Sequence, residues 1–152
     1  MSLNTAAILH LNRNSFRKVR FIVKIKEKIY IHSPMHIVWN FLNREEEMKK
    51  WWPVEFKEKA ILDDKSGFSG HIISVDKGRN ISFSWTYIGW PCDMTVTLNT
   101  YPEPAGTILE ITQAGWEEFP ESERDGAMSQ SEIYWHGVMK NLKSLAEGRG
   151  FA

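Results

Sequence analysis

Hydrophobic and polar residues alternate along much of the chain with a period of two. In the segment 19–31, Val19, Phe21, Val23 and Ile25 are interleaved with basic residues. The same alternation recurs in five further segments, 54–62, 68–76, 80–87, 92–101 and 106–114. Short runs rich in Gly, Pro and Asp separate these segments and are typical of turns. The pattern therefore predicts six strands of an antiparallel sheet with one buried and one solvated face.

Two short helices are predicted between the first and second strands. Ser33 and Pro34 are typical of a helix start, with Ser33 as the cap and Pro34 at the first helical position. An apolar stripe follows, made of Val38, Phe41 and Leu42.

The second helix is predicted where three glutamates precede two lysines. Acidic side chains favour the N-terminus of a helix and basic ones its C-terminus. The spacing predicts the ion pairs Glu45–Lys49 and Glu46–Lys50. We interpret this run as a solvated helix face and not as an acid–base site.

The last segment changes to a helical period. Apolar residues recur there at spacings of three and four, at Trp135, Val138, Met139, Leu142 and Leu145. We expect this helix to begin between Pro120 and Ala127 and to end near Gly148.

This order of elements predicts an α+β fold in which a six-stranded curved antiparallel sheet wraps a long C-terminal helix. We divide the chain into an N-terminal extension, 1–18, and one domain, 19–152. A single helix does not fill a strongly curved sheet, so the remaining space predicts a ligand cavity. Its expected lining is Phe83, Trp85, Tyr87, Met94, Val96, Trp135, Met139 and, at the edge, His136. The alternative for each of these residues is ordinary core packing.

Composition excludes several classes of protein. The formal net charge is zero, which argues against a dedicated nucleic-acid binder. No apolar run approaches the length of a membrane span. The single cysteine, Cys92, leaves no internal disulfide and favours a reducing, cytoplasmic compartment. Seven tryptophans are many for 152 residues and indicate a wide core or a pocket lined with rings.

No grouping of residues in the sequence predicts a catalytic, metal or cofactor site. The five histidines are scattered, and His32 lies before the predicted helix that carries His36. Nothing near Cys92 would lower its pKa and make it a nucleophile. We therefore expect no catalytic residue, no metal and no cofactor.

Several short motifs follow one another in an order that resembles a known family. They are Ile29-Tyr30-Ile31-His32-Ser33-Pro34 with Val38-Trp39, then Glu47-Met48-Lys49-Lys50-Trp51-Trp52, Gly67-Phe68-Ser69-Gly70, Ala105-Gly106-Thr107-Ile108-Leu109-Glu110-Ile111, and Trp135 with Leu142-Lys143 and Leu145. Together they resemble the SRPBCC superfamily of helix-grip proteins, and most closely its branch named for the activator of heat-shock protein 90 ATPase. One departure is Tyr134, which stands where the family commonly has Gly.

The resemblance implies a binding module for a small apolar or aromatic molecule, because members of the superfamily bind lipids, sterols, hormones or polyketides. Two alternatives are implied as well. One is a protein-interaction domain, such as a chaperone partner, with Trp90 and Trp116 facing solvent. The other is a cyclase or hydrolase that uses the same cavity, with His136, Tyr87 or Glu110 as its polar groups.

Overall fold

Seven strands form one antiparallel sheet in the computed structural model, which describes residues 24–148. The strands are β1 (Lys24–Ile31), β2 (Glu55–Lys57), β3 (Ala60–Asp63), β4 (Phe68–Asp76), β5 (Asn80–Tyr87), β6 (Met94–Glu103) and β7 (Gly106–Ala114). Their order across the sheet is β1-β7-β6-β5-β4-β3-β2, so β1 pairs with the last strand. The predicted extension, 1–18, and the part of the first strand before residue 24 lie outside the described residues.

Three helices accompany the sheet. Two short ones, α1 (Met35–Asn40) and α2 (Glu45–Met48), connect β1 to β2, as predicted. A 3₁₀ turn (Trp116–Glu118) follows β7 and leads into the long helix α3 (Glu121–Ala146), which begins inside the predicted window. The architecture is the predicted one, a sheet that wraps a C-terminal helix. Within the described part of the chain, no helix is long and apolar enough to cross a membrane.

The sheet has seven strands and not six, because the predicted strand 54–62 is a hairpin. Its two arms, β2 and β3, are joined at Glu58 and Lys59, and Glu58 has a φ of 57°. Phe56 pairs with Ile61 across the hairpin. The turn shifts the alternation by one residue, but Ala60, Ile61 and Leu62 are all apolar, so the pattern alone did not show the reversal.

The remaining strand bounds agree with the prediction except in β6. This strand begins at Met94 and not at Cys92, and it continues to Glu103. Pro102 lies inside it and pairs with Thr107 of β7. The turn predicted over 102–105 is therefore shorter, because Pro102 and Glu103 remain in the ladder.

The predicted cap of α1 is wrong. Pro34 itself occupies the cap position, and no side chain caps the helix. The Ser33 hydroxyl instead donates a hydrogen bond to the carbonyl of Ala146, at the end of α3. Ser33 thus connects the C-terminal end of α3 to the end of β1.

The predicted ion pairs of α2 are also wrong, because the helix has only four residues. Glu47 pairs with Arg44 and with Lys50, each three positions away. Lys49 reaches Glu55 on β2 instead. These groups line the solvated face of the segment, as we expected of the glutamate run.

The inner face of the sheet holds α3 through two clusters of buried apolar side chains. The main cluster includes Trp39, Trp51, Trp52, Trp85 and Trp135. A second cluster, at the N-terminal end of α3, joins Ile25, Met94, Trp116, Phe119 and Ala127. Trp116 is completely buried, so the prediction that it faces solvent is wrong; Trp90 is half-buried and packs against both clusters.

Candidate functional site

The eight residues predicted to line a cavity lie at three depths between the sheet and α3. Five of them belong to the main core cluster and are at most 2% exposed: Phe83, Trp85, Val96, Trp135 and Met139. Met94 is equally buried but belongs to the second cluster. Tyr87 is half-buried, and His136 is exposed on α3. The fold therefore brings most of the set to one interface and leaves His136 at its outer side.

Aromatic rings fill much of this interface. We define the ring cluster as Trp52, Phe68, Phe83, Trp85, Tyr134 and Trp135. Trp52 lies at its centre, with its ring centroid 5.5 Å from that of Trp85 and 5.7 Å from that of Trp135. Trp85 and Trp135 are 5.2 Å apart. Tilted ring contacts at these distances stabilise the fold by more than the burial of apolar area alone.

Tyr134 anchors the ring cluster through its hydroxyl. Trp52 Nε1 donates to the Tyr134 oxygen over 2.9 Å, and the Tyr134 hydroxyl donates to Asp63 Oδ2 over 2.8 Å. Burial raises the pKa of the Tyr134 phenol well above its usual value. The hydroxyl thus keeps its proton and satisfies the carboxylate of Asp63, which is only 2% exposed.

A second group of polar atoms lies on the inner face near the N-terminal half of α3. Trp135 Nε1 donates to Gln113 Oε1 over 2.7 Å, which leaves Gln113 Nε2 without a partner among the described residues. Ser131 Oγ and Glu27 Oε2 are buried and lack partners there too. Gln113 and Ser131 are both 0% exposed. We call Glu27, Gln113 and Ser131 the unpartnered polar residues.

The carboxyl of Glu27 has an unusual environment for a strand residue. Its pKa is raised, first because burial disfavours the charged form and then because Glu132 repels it. His136 acts in the opposite direction and lowers the pKa. The two helix residues thus place Glu27 beside α3, on the inner side of β1.

The unpartnered polar residues were not predicted, although the sequence carries a signal for them. Glu27 stands in the apolar alternation of Ile25, Ile29 and Ile31, where a carboxyl is unexpected on a buried face. Gln113 continues the inner positions of β7 after Leu109 and Ile111. The signal was a polar residue at an apolar position of the period.

Several surface grooves lie in the described part of the chain. One, of about 570 Å³, lies between α1, α2 and the end of α3. Another, of about 410 Å³, lies beside the β2–β3 hairpin, and a third, of about 370 Å³, lies between α1 and the β4–β5 turn. None of the eight predicted residues lines these grooves.

The polar groups considered for catalysis do not come together. Glu110 lies on the outer face of β7, where it pairs with Lys26 and Lys28 and accepts a hydrogen bond from Tyr101. Its expected place in the cavity is therefore wrong. Burial, followed by repulsion from Glu118, raises the pKa of the Cys92 thiol, which makes it a poor nucleophile. Residues 24–148 contain no group of three potential metal ligands.

A seven-stranded sheet closed over a long C-terminal helix, with two short helices after β1, defines a helix-grip protein. Residues 32–147 match the family model described as activator of Hsp90 ATPase homolog 1-like protein, and the chain belongs to this family. This places it in the activator branch of the SRPBCC superfamily, as the motifs predicted.

Solved structures of low sequence identity share the fold. Protein MLL2253 from Mesorhizobium loti is 21% identical with a TM-score of 0.69, over 85% of this chain and 100% of that one. CalU16 from Micromonospora echinospora is 20% identical with a TM-score of 0.67, over 84% and 67%. The Aha1 dimer from Colwellia psychrerythraea is 15% identical with a TM-score of 0.63, over 83% and 97%. No curated protein sequence matches the chain.

Proposed function

We propose that the protein is a binding module for a small apolar or aromatic molecule, held between the inner face of the sheet and α3. Its expected lining is the predicted set, Phe83, Trp85, Tyr87, Met94, Val96, Trp135 and Met139, with His136 at the outer edge. We expect this activity in the cytoplasm. The observation that carries the proposal is the presence of unpartnered polar atoms at this otherwise apolar interface.

Buried polar atoms in native proteins nearly always have hydrogen-bond partners, because leaving one unmet costs about 1–3 kcal/mol. Trp85 Nε1 lies inside the ring cluster without a partner among the described residues, and the unpartnered polar residues supply three more atoms of this kind. An apolar interface with a few convergent polar groups is the usual composition of a small-molecule site. Buried polar atoms without partners at an aromatic interface therefore favour a bound ligand over plain core packing.

The indole N–H groups provide a direct test. In a two-dimensional ¹H–¹⁵N NMR spectrum of the full chain, naphthalene, indole and 2-naphthol would be added in turn. A ligand between sheet and helix shifts the indole signals of Trp52, Trp85 and Trp135, which lie in mutual contact.

Trp39 is the internal control for this experiment. Its Nε1 donates to Thr100 Oγ1, and within residues 24–148 its ring makes no aromatic contact with Trp52, Trp85 or Trp135. Trp39 also lines the groove beside the β4–β5 turn. Shifts confined to Trp39 would indicate surface binding and contradict the proposal, as would a spectrum unchanged by every compound.

A further inference from the structure

The groove between α1 and the β4–β5 turn lies outside the interface between the sheet and α3. It measures about 370 Å³ and is lined by one side of α1 and by Lys77 and Gly78 of the turn. Met35, Trp39 and Asn43 contribute at spacings of four, which places them on the same side of the helical segment. The volume lies within the range of small-molecule sites in proteins, about 300–1,000 Å³.

Hydrogen bonds connect the two walls of this groove. Trp39 Nε1 donates to Thr100 Oγ1 over 3.0 Å, and the Thr100 hydroxyl donates to the carbonyl of Arg79 over 3.0 Å. The Thr100 N–H donates to the same carbonyl over 2.9 Å. Because Trp39 lies on α1 and Arg79 ends the β4–β5 turn, Thr100 of β6 fixes both walls. A ligand that binds there therefore loses little free energy to ordering the site.

The lining of the groove combines apolar surface with a positive charge. Met35 and Trp39 supply the apolar surface, and Trp39 is a buried residue. Lys77 is exposed and forms no ion pair with any residue from 24 to 148. The neighbouring carboxylate of Asp76 lies 4.0 Å from Arg79 instead. Since no Asp or Glu within this range lines the groove, the charge of Lys77 is uncompensated there.

The two larger grooves differ in this respect. The one beside α2 contains Glu47, which pairs with Arg44 and with Lys50. The one beside the hairpin contains Glu55, which pairs with Lys49. Carboxylates of the protein thus already neutralise these cations, and an uncompensated cation distinguishes the groove beside the β4–β5 turn.

Two side-chain amides add hydrogen-bond donors to the same groove. Asn40 and Asn43 are exposed, and their side chains make no hydrogen bond within residues 24–148. An amide N–H and an ammonium both donate to carboxylate oxygens, and hydrogen bonds to a charged acceptor are stronger than those between neutral groups. Donors and a positive charge beside apolar surface complement a carboxylate that is attached to a ring.

We propose that the groove between α1 and the β4–β5 turn binds a small aromatic carboxylate, with its ring against Met35 and Trp39 and its carboxylate at Lys77. The uncompensated charge selects an anion, and the apolar surface selects an anion that carries a ring. This site is separate from the binding function proposed above, because none of the eight residues expected to line the sheet–helix interface lines this groove.

Three compounds separate the contributions of charge and ring. The dissociation constants of 2-naphthoate, 2-naphthamide and acetate are measured by calorimetry with the full chain. 2-Naphthoate binds about fivefold more tightly than its neutral amide, because a solvent-exposed ion pair contributes modestly. This advantage is lost at about 0.5 M sodium chloride, which screens exposed charges. Acetate has no ring and shows no measurable binding.

Substitutions locate the preference for the anion in the groove. Lys77→Gln abolishes it, and Lys77→Arg retains it. Asn40→Asp places a carboxylate in the groove and abolishes it as well. Lys65→Gln is the matched control and leaves the preference unchanged, because Lys65 is also exposed but precedes β4, at the end opposite to Lys77. Circular dichroism confirms that each variant is folded.

The indole N–H signal of Trp39 in the ¹H–¹⁵N NMR spectrum shows where the compound lies. 2-Naphthoate shifts this signal in the unmodified protein and in Lys65→Gln at a concentration that leaves it unshifted in Lys77→Gln. Equal dissociation constants for 2-naphthoate and 2-naphthamide, or a preference that survives in Lys77→Gln, overturns the inference. Shifts at Trp52, Trp85 and Trp135 without one at Trp39 also overturn it, but they support the binding function proposed for the interior.

Discussion

Single residues explain why this helix-grip interior is filled with rings. The ring of Tyr134 packs against Phe68, Trp85 and Trp135. Its two hydrogen-bond partners, Trp52 and Asp63, lie 82 and 71 positions away in the chain. Local pattern could not identify partners at such separations.

Replacing Tyr134 by Phe should lower the free energy of unfolding by about 1–3 kcal/mol, because Asp63 and the Trp52 N–H both lose a buried partner. Urea denaturation monitored by circular dichroism measures the change. Tyr87→Phe is the control, since the Tyr87 hydroxyl makes no hydrogen bond within residues 24–148 and its loss should be nearly neutral. Equal effects of the two substitutions would contradict the anchoring role of Tyr134.

Glu27 should make stability depend on pH in a defined direction. Its carboxyl pKa is raised in the folded state, by burial first and by Glu132 second, so the folded protein holds this proton more tightly than the unfolded chain. The contribution is therefore stabilising at low pH and is lost as the pH rises above the ordinary value of 4.5.

Glu27→Gln should flatten the fall in melting temperature that accompanies a rise from about pH 4 to about pH 8. Glu132→Gln should do so less, because it removes only the second cause of the shift. Thermal unfolding followed across this range measures both effects. A profile for Glu27→Gln that is indistinguishable from the unmodified protein would refute the assignment.

Among the elements, α3 was the easiest to predict and the hairpin of β2 and β3 the hardest. The apolar period of α3 persists from Trp135 to Leu145, and both of its ends carry sequence signals. The hairpin is short. Its reversal places Glu58 at a positive φ, and the sequence has no Gly there to indicate a turn. Hydrophobic period reports which face is buried, but the apolar run Ala60-Ile61-Leu62 conceals the change of phase that this two-residue reversal introduces.

The C-terminal end of α3 is held by contacts that no local pattern indicated. Lys143 Nζ donates to the carbonyl of Tyr30 over 2.6 Å, and the His32 N–H donates to Glu147 over 2.7 Å. With the bond from Ser33 to Ala146, these contacts fasten the helix to the end of β1. The contacts join residues 113 or 115 positions apart, so they follow from the tertiary fold alone.

Replacing either of two glycines inside α3 by alanine should make the protein more stable. A Cβ added at Gly126 or Gly137 would meet nothing within 4 Å. Alanine restricts the unfolded chain more than glycine does, so each substitution should raise the free energy of unfolding by about 0.5–1 kcal/mol. Urea denaturation checks the gain, and no gain at either site would contradict the open surroundings.

Gly70 of β4 is the contrasting case. A Cβ there would lie 1.8 Å from the carbonyl oxygen of Ser84 on the neighbouring strand. Backbone cannot yield by that amount without separating the strands, so Gly70→Ala should reduce soluble yield and melting temperature sharply. Retention of the unmodified melting temperature would show that β4 and β5 are not held this closely.

For the molecule as a whole, the sequence predicted the architecture better than the site. Hydrophobic period and turn residues are local features of the sequence. They predict the sheet, its antiparallel order after β2 and the covering helix. Which polar atoms meet inside depends on register and helix rotation, and one residue of error moves a side chain to the other face. Phe83, Trp85 and Trp135 were therefore predictable as inward residues, whereas the hydrogen bond from Trp135 to Gln113 was not.

Zero formal net charge should give the protein its lowest solubility near its sequence pI of about 7.0. Precipitation by polyethylene glycol, measured across a pH series, locates this minimum. Replacing the exposed Lys57 and Lys59 by Glu should move it to lower pH, and replacing both by Arg should not. A minimum that stays in place with the glutamates would mean that specific association, and not net charge, sets the solubility.

The mutual contact of Trp52, Trp85 and Trp135 also has an optical consequence. Indoles with centroids 5.2–5.7 Å apart pass electronic excitation among themselves, so light absorbed by one can be emitted by another. We therefore expect a quencher that reaches one of the three indoles to lower the tryptophan fluorescence of all three.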